Sequence, residues 1–349
     1  MTSSVGDSRT TPRSRPRFLA VVGPTASGKT GLSLELGRIL PGEVVSMDSR
    51  QVYRGMDVGT GKVGLRERAR LPHHGLDILD PRERYSAGRF GREARAWIRE
   101  IESRHRIPFL VGGTGFFLKA LTDPMFSEPE MDPERLEELR DFLNRLSPER
   151  LREFVAALDP KREPVAAQGG RQRMTRTVEM ALLTGRPLSW WHREAPPARA
   201  PLPGIIILLE LPREVLYQRI NRRVRGMVEE GLVEEVQALL DAGYREEDPG
   251  LTGAGYREMV GHLKGRTGLE EAVEEIQRAH RRYARRQITW FRHQLPPGTR
   301  GVDPRHPHDE LAREIRALWN RALEFGLEEA PEGGGAGEHP STWRKRGRP

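Results

Sequence analysis

Short apolar runs alternate along the chain with longer stretches in which apolar residues recur every three or four positions. The short runs predict buried strands, and the longer stretches predict amphipathic helices. Alternation of this kind is typical of a parallel sheet with helices on both faces, which places the chain in the α/β class. Strands are predicted at 18–23, 43–48, 107–113 and 205–211, with further candidates at 75–79 and 298–303, and helices at 29–40, 89–105 and 269–293.

The stretch from 128 to 199 interrupts this alternation, because it is highly charged, has helical periodicity and contains no convincing strand. We interpret it as a helical insertion domain between two parts of the sheet domain, 17–127 and 200–327. The two ends, 1–16 and 328–349, have few residues to bury, so we predict that both are disordered.

Charge and composition narrow the class of protein. The 349 residues include 58 Lys and Arg against 50 Asp and Glu, a formal net charge of +8 that favours a polyanionic partner. The absence of cysteine excludes disulfides, thiol catalysis and cysteine-ligated metals. Because no apolar run approaches the roughly 20 residues of a membrane span, and no apolar segment precedes Phe18, we expect a cytoplasmic protein without membrane contact.

The strongest chemical signal lies between the first predicted strand and helix, where the chain fits the pattern G-x-x-x-x-G-K-[ST]. In such a loop, glycines let backbone N–H groups surround phosphate oxygens, the lysine adds a positive charge, and the final hydroxyl can ligate Mg²⁺. The pattern predicts a site for a diphosphate or triphosphate and does not by itself indicate hydrolysis. We call these residues the phosphate loop: Gly23, Pro24, Thr25, Ala26, Ser27, Gly28, Lys29 and Thr30.

A second candidate is Asp48, at the carboxyl end of the second predicted strand. Ligands of open α/β sheets bind outside this edge, so Asp48 should face the same crevice as the phosphate loop. Its carboxylate could hold Mg²⁺, pair with a base, accept a proton or merely cap a turn. The glycine-rich segment 112–115 follows another strand at this edge and suits either close approach to a ligand or a tight turn.

Basic residues cluster in three further places. Among the arginines of 219–225, at least one could project into the crevice and clamp a phosphate, while most belong to a solvated helix face. The segments 172–176 and 280–292 suit a nucleic-acid backbone, and the second also carries aromatic residues. We expect Trp290 and Phe291 to be buried beneath a charged face, and we expect the pair His73 and His74 to be structural.

The motifs occur in an order that closely resembles bacterial tRNA dimethylallyltransferases. The resemblance runs from about residue 18 to 293 and implies a P-loop NTPase-like fold. It also implies transfer of a dimethylallyl group from dimethylallyl diphosphate to N6 of the adenosine immediately 3′ of the anticodon, in tRNAs that read codons beginning with U. The motifs are GPTASGKT, VVSMDSRQVYRGMDVGTGK, HHGLDILDP, YSAGRF, IPFLVGGTGFFLKAL, QRMTRTVEMALLTG, GYREM and RRQITWFR.

The resemblance also implies roles for individual residues. Asp48 matches the general base, Thr114 supports the donor near the reacting bond, and Arg223 binds the diphosphate, with Mg²⁺ held at Thr30. The target base would leave its stack, and the insertion 128–199 would grip the anticodon stem. We expect a monomer. The segments implied to contact tRNA are Asp48, Ser49, Arg50 and Gln51, together with Gln172, Arg173, Met174, Thr175 and Arg176.

The chain departs from the family pattern at Thr60-Gly61-Lys62, at Gly169-Gly170-Arg171 and at Phe116-Phe117. Three other functions share some of these features. A P-loop small-molecule kinase has the same loop, a prenyltransferase of free adenine nucleotides has the same chemistry, and an RNA-binding protein could use a nucleotide as a switch. The acceptor used in a transfer assay distinguishes among them.

Overall fold

The computed structural model describes residues 14–123, 126, 129, 131–195 and 199–327. They form two compact units, one made of the chain up to Leu121 and from Leu202 onward, the other of Thr122–Pro201. The segments predicted to be disordered lie outside the described residues, apart from 14–16, where the Ser14 carbonyl accepts a hydrogen bond from the Leu327 N–H at 3.2 Å. Within the described ranges, no helix is long and apolar enough to cross a membrane.

The first unit is built on a parallel sheet of six strands in the order β3-β2-β4-β1-β5-β6, which confirms the α/β prediction. Strands β1, β2 and β5 are buried at every position, and β4 at all but its first, so they read as continuous apolar runs in the sequence. The strands are β1 (Leu19–Val22), β2 (Gly42–Met47), β3 (His73–His74), β4 (Ile107–Gly112), β5 (Ile205–Leu209) and β6 (Arg300–Val302).

Helices cover both faces of this sheet. Phe90 and Ile98 belong to one buried cluster, and Leu32, Leu36 and Trp319 belong to the other. The helices that contribute to this unit are α1 (Lys29–Ile39), α2 (Leu65–Arg70), α3 (Ala87–Ser103), α4 (Gly115–Thr122), α10 (Arg213–Glu229), α11 (Leu232–Asp241), α12 (Tyr256–Leu263), α13 (Leu269–Gln294) and α14 (His308–Phe325).

The prediction of a strand at 75–79 is wrong, because the third strand occupies His73–His74 instead. Gly75 and Asp77 have φ angles of 81° and 56°, in the left-handed region that breaks a pleated strand. The Asp77 carboxylate accepts hydrogen bonds from Lys62 and Arg68, so this segment is a turn held by ion pairs.

The described helices of the second unit all lie within the stretch 128–199, for which the periodicity predicts helices. Its core contains Leu143, Leu151, Val155 and Val178, contributed by three different helices. The helices are α5 (Pro133–Arg145), α6 (Pro148–Leu158), α7 (Glu163–Gln168), α8 (Arg171–Thr184) and α9 (Leu188–Glu194).

A buried carboxylate organises the end of the sheet where β2 begins. Glu43 is 3% exposed and accepts hydrogen bonds from Arg104 at 3.0 and 2.8 Å, while His74 Nε2 lies 2.8 Å from its Oε2. His73 contacts the Leu71 carbonyl instead. Among the described residues, no group of three or more His, Cys, Asp or Glu could hold a metal ion. Burial alone would raise the pKa of Glu43, but the hydrogen bonds from Arg104 and His74 lower it. The histidine pair is therefore structural, as predicted.

This network predicts acid-sensitive stability. The folded protein holds the pKa of Glu43 below its ordinary value of 4.5. The Glu43 carboxylate therefore contributes to the free energy of unfolding above that pH, and this contribution is lost as the pH falls further. We expect Glu43→Gln to lower the free energy of unfolding by roughly 1–3 kcal/mol at neutral pH and by progressively less in acid. Urea titrations over a pH series measure this, with exposed Glu314→Gln as control. If the free energy of unfolding changed equally with pH in wild type and in Glu43→Gln, the lowered pKa assigned to Glu43 would be wrong.

Candidate active site

The phosphate loop connects β1 to α1 and wraps around the first turn of the helix. Gly28 precedes α1 with a φ of 100°, a conformation that glycine adopts without strain. Lys29 turns back across the loop, and its Nζ donates to the carbonyls of Gly23 at 3.0 Å and Pro24 at 2.7 Å. A helix N-terminus and an ammonium group therefore lie together at this loop, two features of an anion site.

Asp48 follows directly after β2 and lies half-buried at the same edge of the sheet. Its Oδ1 accepts a hydrogen bond from the Arg50 N–H at 2.8 Å, so the turn-capping role is real. Its charge also acts on Lys29 and on Arg223, so the carboxylate faces the crevice as well. Capping a turn through one oxygen fixes the orientation of the carboxylate toward the cations.

Arg223 reaches this crevice from the segment 219–225, and Arg219 also approaches the phosphate loop, since its Nη1 would lie 3.8 Å from a Cβ at Gly28. Arg223 belongs to α10, is half-buried, and its Nη2 donates to the Thr60 carbonyl at 3.2 Å. A Cβ at Gly61 would lie 2.2 Å from Arg223 Nη2, so the glycine leaves room for the guanidinium in this position. Burial lowers the pKa of Arg223, and the charge of Asp48 opposes that shift.

Burial and the neighbouring Arg223 lower the pKa of Lys29 to about 7, while Asp48 acts in the opposite direction. Two cations are therefore packed close together at the crevice, with Asp48 as a carboxylate that acts on both. An arrangement with this excess of buried positive charge is stabilised by a bound anion.

Thr114 ties the end of β4 to the Asp48 turn. Its N–H donates to the Met47 carbonyl at 3.1 Å, and its Oγ1 accepts from the Ser49 N–H at 3.2 Å. The structure thus brings Asp48, Thr114, Arg223 and the phosphate loop together at the carboxyl ends of β1, β2 and β4.

Helix α13 adds two groups that the sequence analysis placed in the basic and aromatic segment 280–292 and did not assign to this crevice. A side-chain hydrogen bond joins Tyr283 to Thr114, and burial together with the charge of Asp48 raises the pKa of Tyr283 to about 12. Burial and the charge of Arg223 lower the pKa of His280 to about 4. Both side chains are neutral at pH 7, so the imidazole is a weak base and the phenol retains its proton beside Asp48.

Glu235 on α11 is a residue that the sequence analysis missed. Its carboxylate accepts hydrogen bonds from the N–H groups of Asp57, Val58 and Gly59 at 2.6, 2.7 and 3.0 Å, and from the Tyr256 hydroxyl at 2.6 Å. It therefore fixes the turn that presents the Thr60 carbonyl to Arg223. The sequence gives no signal for this role, because Glu235 is one acid among several on an amphipathic helix.

The residues implied to contact tRNA differ in how their side chains are used. Arg50 donates to the Pro249 carbonyl at 2.6 Å, and Gln51 accepts from Ser46 Oγ while donating to the Gly61 carbonyl at 3.3 Å. The side chain of Gln51 therefore points inward and joins β2 to the 57–61 turn.

In the second unit, the corresponding segment begins helix α8. Gln172 and Arg173 are exposed, whereas Met174 is 5% exposed and packs in the helical core. Thr175 has a buried hydroxyl, and Arg176 lies 3.4 Å from the Glu179 carboxylate. Only the first two side chains of the segment are exposed on the surface of this unit.

The aromatic residues of the RRQITWFR segment pack as expected. Phe291 is 3% exposed, and half-buried Trp290 packs against the same cluster and over Gly115. Phe116, 52% exposed, lies 5.9 Å from Trp290 between ring centroids.

Mg²⁺ fits the chemistry of this loop. Thr30 is exposed in the first turn of α1, and the described residues contain no cluster of three or more His, Cys, Asp or Glu that could form an all-protein metal cage. Mg²⁺ commonly binds through few protein oxygens together with substrate phosphates and water. The donor set therefore suits a metal that arrives with a phosphate ligand.

Comparison with known proteins gives consistent results. The family model described as IPP transferase matches residues 51–294, a range that begins after the phosphate loop and Asp48. A tRNA dimethylallyltransferase of Syntrophobacter fumaroxidans is 41% identical over 296 residues, covering 85% of this chain and 86% of the relative. One from Halalkalibacterium halodurans is 41% identical over 279 residues, covering 80% and 88%.

Solved structures agree with the sequence relatives. The full-length tRNA isopentenylpyrophosphate transferase of Bacillus halodurans superposes with a TM-score of 0.64 at 38% identity, covering 88% of this chain and 96% of that one. A eukaryotic dimethylallyltransferase acting on tRNA gives a TM-score of 0.76 at 25% identity, covering 90% and 81%.

The lowered pKa of Lys29 predicts that anion binding takes up a proton. Pyrophosphate should favour the charged ammonium and raise its pKa, so binding above about pH 7 requires protonation and the affinity should fall as the pH rises. Calorimetry without metal, in buffers of different ionisation enthalpy, measures the protons taken up once the ionisation of pyrophosphate itself is subtracted. We expect uptake to approach one proton at about pH 8.5 and to vanish at about pH 5.5. Equal uptake at both values would show that Lys29 is already charged.

Proposed function

The chain belongs to the IPP transferase family, and on that premise we propose that it transfers a dimethylallyl group from dimethylallyl diphosphate to N6 of an adenosine in tRNA. The acceptor is the adenosine immediately 3′ of the anticodon in tRNAs that read codons beginning with U. The products are N6-isopentenyladenosine and diphosphate. Membership makes the chain an enzyme, a prenyltransferase, and confirms the resemblance drawn from its motifs.

One observation carries this proposal: two half-buried cations and an oriented carboxylate meet at the same edge of the sheet. Lys29 and Arg223 suit the charge that develops on a departing diphosphate. Asp48 suits the proton that the attacking amine must lose. A kinase can use the same two features, so the identity of the donor and acceptor, and not this arrangement alone, distinguishes prenyl transfer.

The donor half of the reaction takes place at the phosphate loop. The diphosphate accepts hydrogen bonds from loop N–H groups and from Lys29, and Arg223 binds it from the side of the 57–61 turn. The Thr30 hydroxyl would hold Mg²⁺, which would supply Lewis-acid stabilisation of the leaving group. As the bond between C1 and oxygen breaks, the electron pair leaves with the diphosphate.

The acceptor half takes place at Asp48. The lone pair of N6 is delocalised into the purine ring, so the amine is a weak nucleophile until its proton can leave. As N6 bonds to C1 it becomes acidic, and Asp48 accepts the proton. Thr114 holds the Asp48 turn through Ser49.

The acceptor is a folded RNA, and its target base must leave the stack to reach Asp48. Contacts to it are assigned to the 48–51 turn of the first unit and to exposed Gln172 and Arg173 of the second. The net charge of +8 supports association with a polyanion. The enzyme acts in the cytoplasm as a monomer.

A two-substrate assay tests the proposal. Labelled dimethylallyl diphosphate and tRNA lacking the modification should give label in tRNA, located at the adenosine 3′ of the anticodon. AMP in place of tRNA should remain unlabelled, which separates this function from prenylation of free nucleotides. Transfer of phosphate from ATP to a small acceptor, without any transfer of the prenyl label, would establish a kinase instead.

Asp48→Asn isolates the proton acceptor, because the amide oxygen can still accept from the Arg50 N–H. We expect kcat to fall by about 10²–10⁴, the range of general-base catalysis, with the KM for each substrate nearly unchanged. Asp303→Asn is the matched control, since Asp303 caps the Arg305 N–H in the same way, at 2.9 Å, after the edge strand β6. Wild-type kcat in Asp48→Asn would remove Asp48 from the chemistry.

A further inference from the structure

Three buried or half-buried polar side chains on α13 share one face of the helix: His280, Tyr283 and Gln287. Their spacing of three and four residues places them in a row along the axis. The first two lie near Asp48, as described above. The third, Gln287, is 6% exposed and belongs to none of the steps proposed so far.

Gln287 joins two loops of the active site. Its Oε1 accepts from the N–H of Thr25, in the phosphate loop, at 2.9 Å, and its Nε2 donates to the carbonyl of Gly113 at 2.9 Å. Since a backbone N–H can only donate and a carbonyl can only accept, these partners fix the orientation of the amide. No other neutral side chain of this length offers an acceptor and a donor on the same planar group.

The contact is close as well as polar. A Cβ at Gly113 would lie 2.2 Å from Gln287 Nε2 and 3.2 Å from the Gly23 carbonyl, so only a glycine lets the amide approach here. Gly113 is the residue before Thr114, which holds the Asp48 turn through Met47 and Ser49. Hydrogen bonds therefore connect the phosphate loop through Gln287 to Gly113, and the next residue, Thr114, is hydrogen-bonded to the turn that carries Asp48.

We propose that Gln287 is a positioning residue that sets the distance between the donor's diphosphate and the groups that act at its reacting carbon. The inference rests on the proposed function, because it assigns the phosphate loop to the donor and Asp48 to the acceptor. The amide acts through two partners: its oxygen holds the phosphate loop in shape, and its nitrogen holds the Thr114 turn against that loop. The Thr25 N–H is thereby committed to the protein and is not available to the diphosphate.

Two substitutions test the two hydrogen bonds of the Gln287 amide separately. Gln287→Met keeps the length of the side chain but removes both hydrogen bonds, leaving a buried N–H and a buried carbonyl without partners. Gln287→Glu keeps an acceptor for the Thr25 N–H and loses the donor to Gly113. Gln277→Met is the control, because Gln277 lies on the same helix and its amide makes a hydrogen bond of 3.4 Å to the Asn221 carbonyl, away from the loop.

Steady-state kinetics well below the melting temperature give the readout. We expect Gln287→Met to raise the KM for dimethylallyl diphosphate and to lower kcat, each about tenfold, with the KM for tRNA unchanged. In Gln287→Glu the donor KM should stay near wild type while kcat falls. Gln277→Met should match wild type in all three parameters.

A merely structural role predicts a different pattern. A lower melting temperature in Gln287→Met with wild-type kcat and KM, or equal changes in the KM of both substrates, would overturn the proposal. Hydrogen exchange on wild type needs no variant: the Thr25 amide should be protected, and rapid exchange there would also overturn it. If wild type transfers no prenyl group, the proposed function fails. The affinity for pyrophosphate then still tests the role of Gln287 at the loop, and we expect Gln287→Met to weaken it and Gln277→Met to leave it unchanged.

Discussion

The active site depends on an electrostatic arrangement that is unfavourable by itself. Lys29 and Arg223 are half-buried cations, and burial lowers the pKa of each. Asp48 acts on both, and Glu230 also acts on Arg223. Burial and Arg223 together still disfavour the charged form of Lys29, so a bound anion relieves that cost, and the most negative form of the substrate, a departing diphosphate, relieves it most.

Holding such charges in place requires rigid supports, and the structure supplies them from distant parts of the chain. Glu235 fixes the 57–61 turn through three N–H groups, and that turn offers the Thr60 carbonyl to Arg223. Gln287 performs the equivalent task for the phosphate loop. Because each support is a side chain with nearly all of its hydrogen bonds satisfied inside the protein, the cations and the carboxylate need little reorganisation when the substrates bind.

The sequence predicts the parts of this design that depend on local pattern. Strands such as Leu19–Val22 and the phosphate loop follow from apolar runs and from spacing, and the position of Asp48 follows from the end of its strand. The supports do not follow, because Glu235 and Gln287 are single polar residues on helices with many charges, and no periodicity shows which of them turns inward. The missed turn at Gly75 and Asp77 has the same origin, since ion pairs to Lys62 and Arg68 override an apolar run that suits a strand.

Helix α13 links these observations. It presents Phe291 to the core of the sheet, Gln287 to the phosphate loop, Tyr283 to Thr114 and His280 to the region of Arg223. Neutral polar groups along this face add no charge to the site, whereas a glutamate there would weaken the positive field of the two cations and a lysine would strengthen it. The arginines of the same helix lie largely on its solvent side, away from these groups. One amphipathic helix thus keeps its charged outer face apart from the neutral polar face that it turns toward the active site.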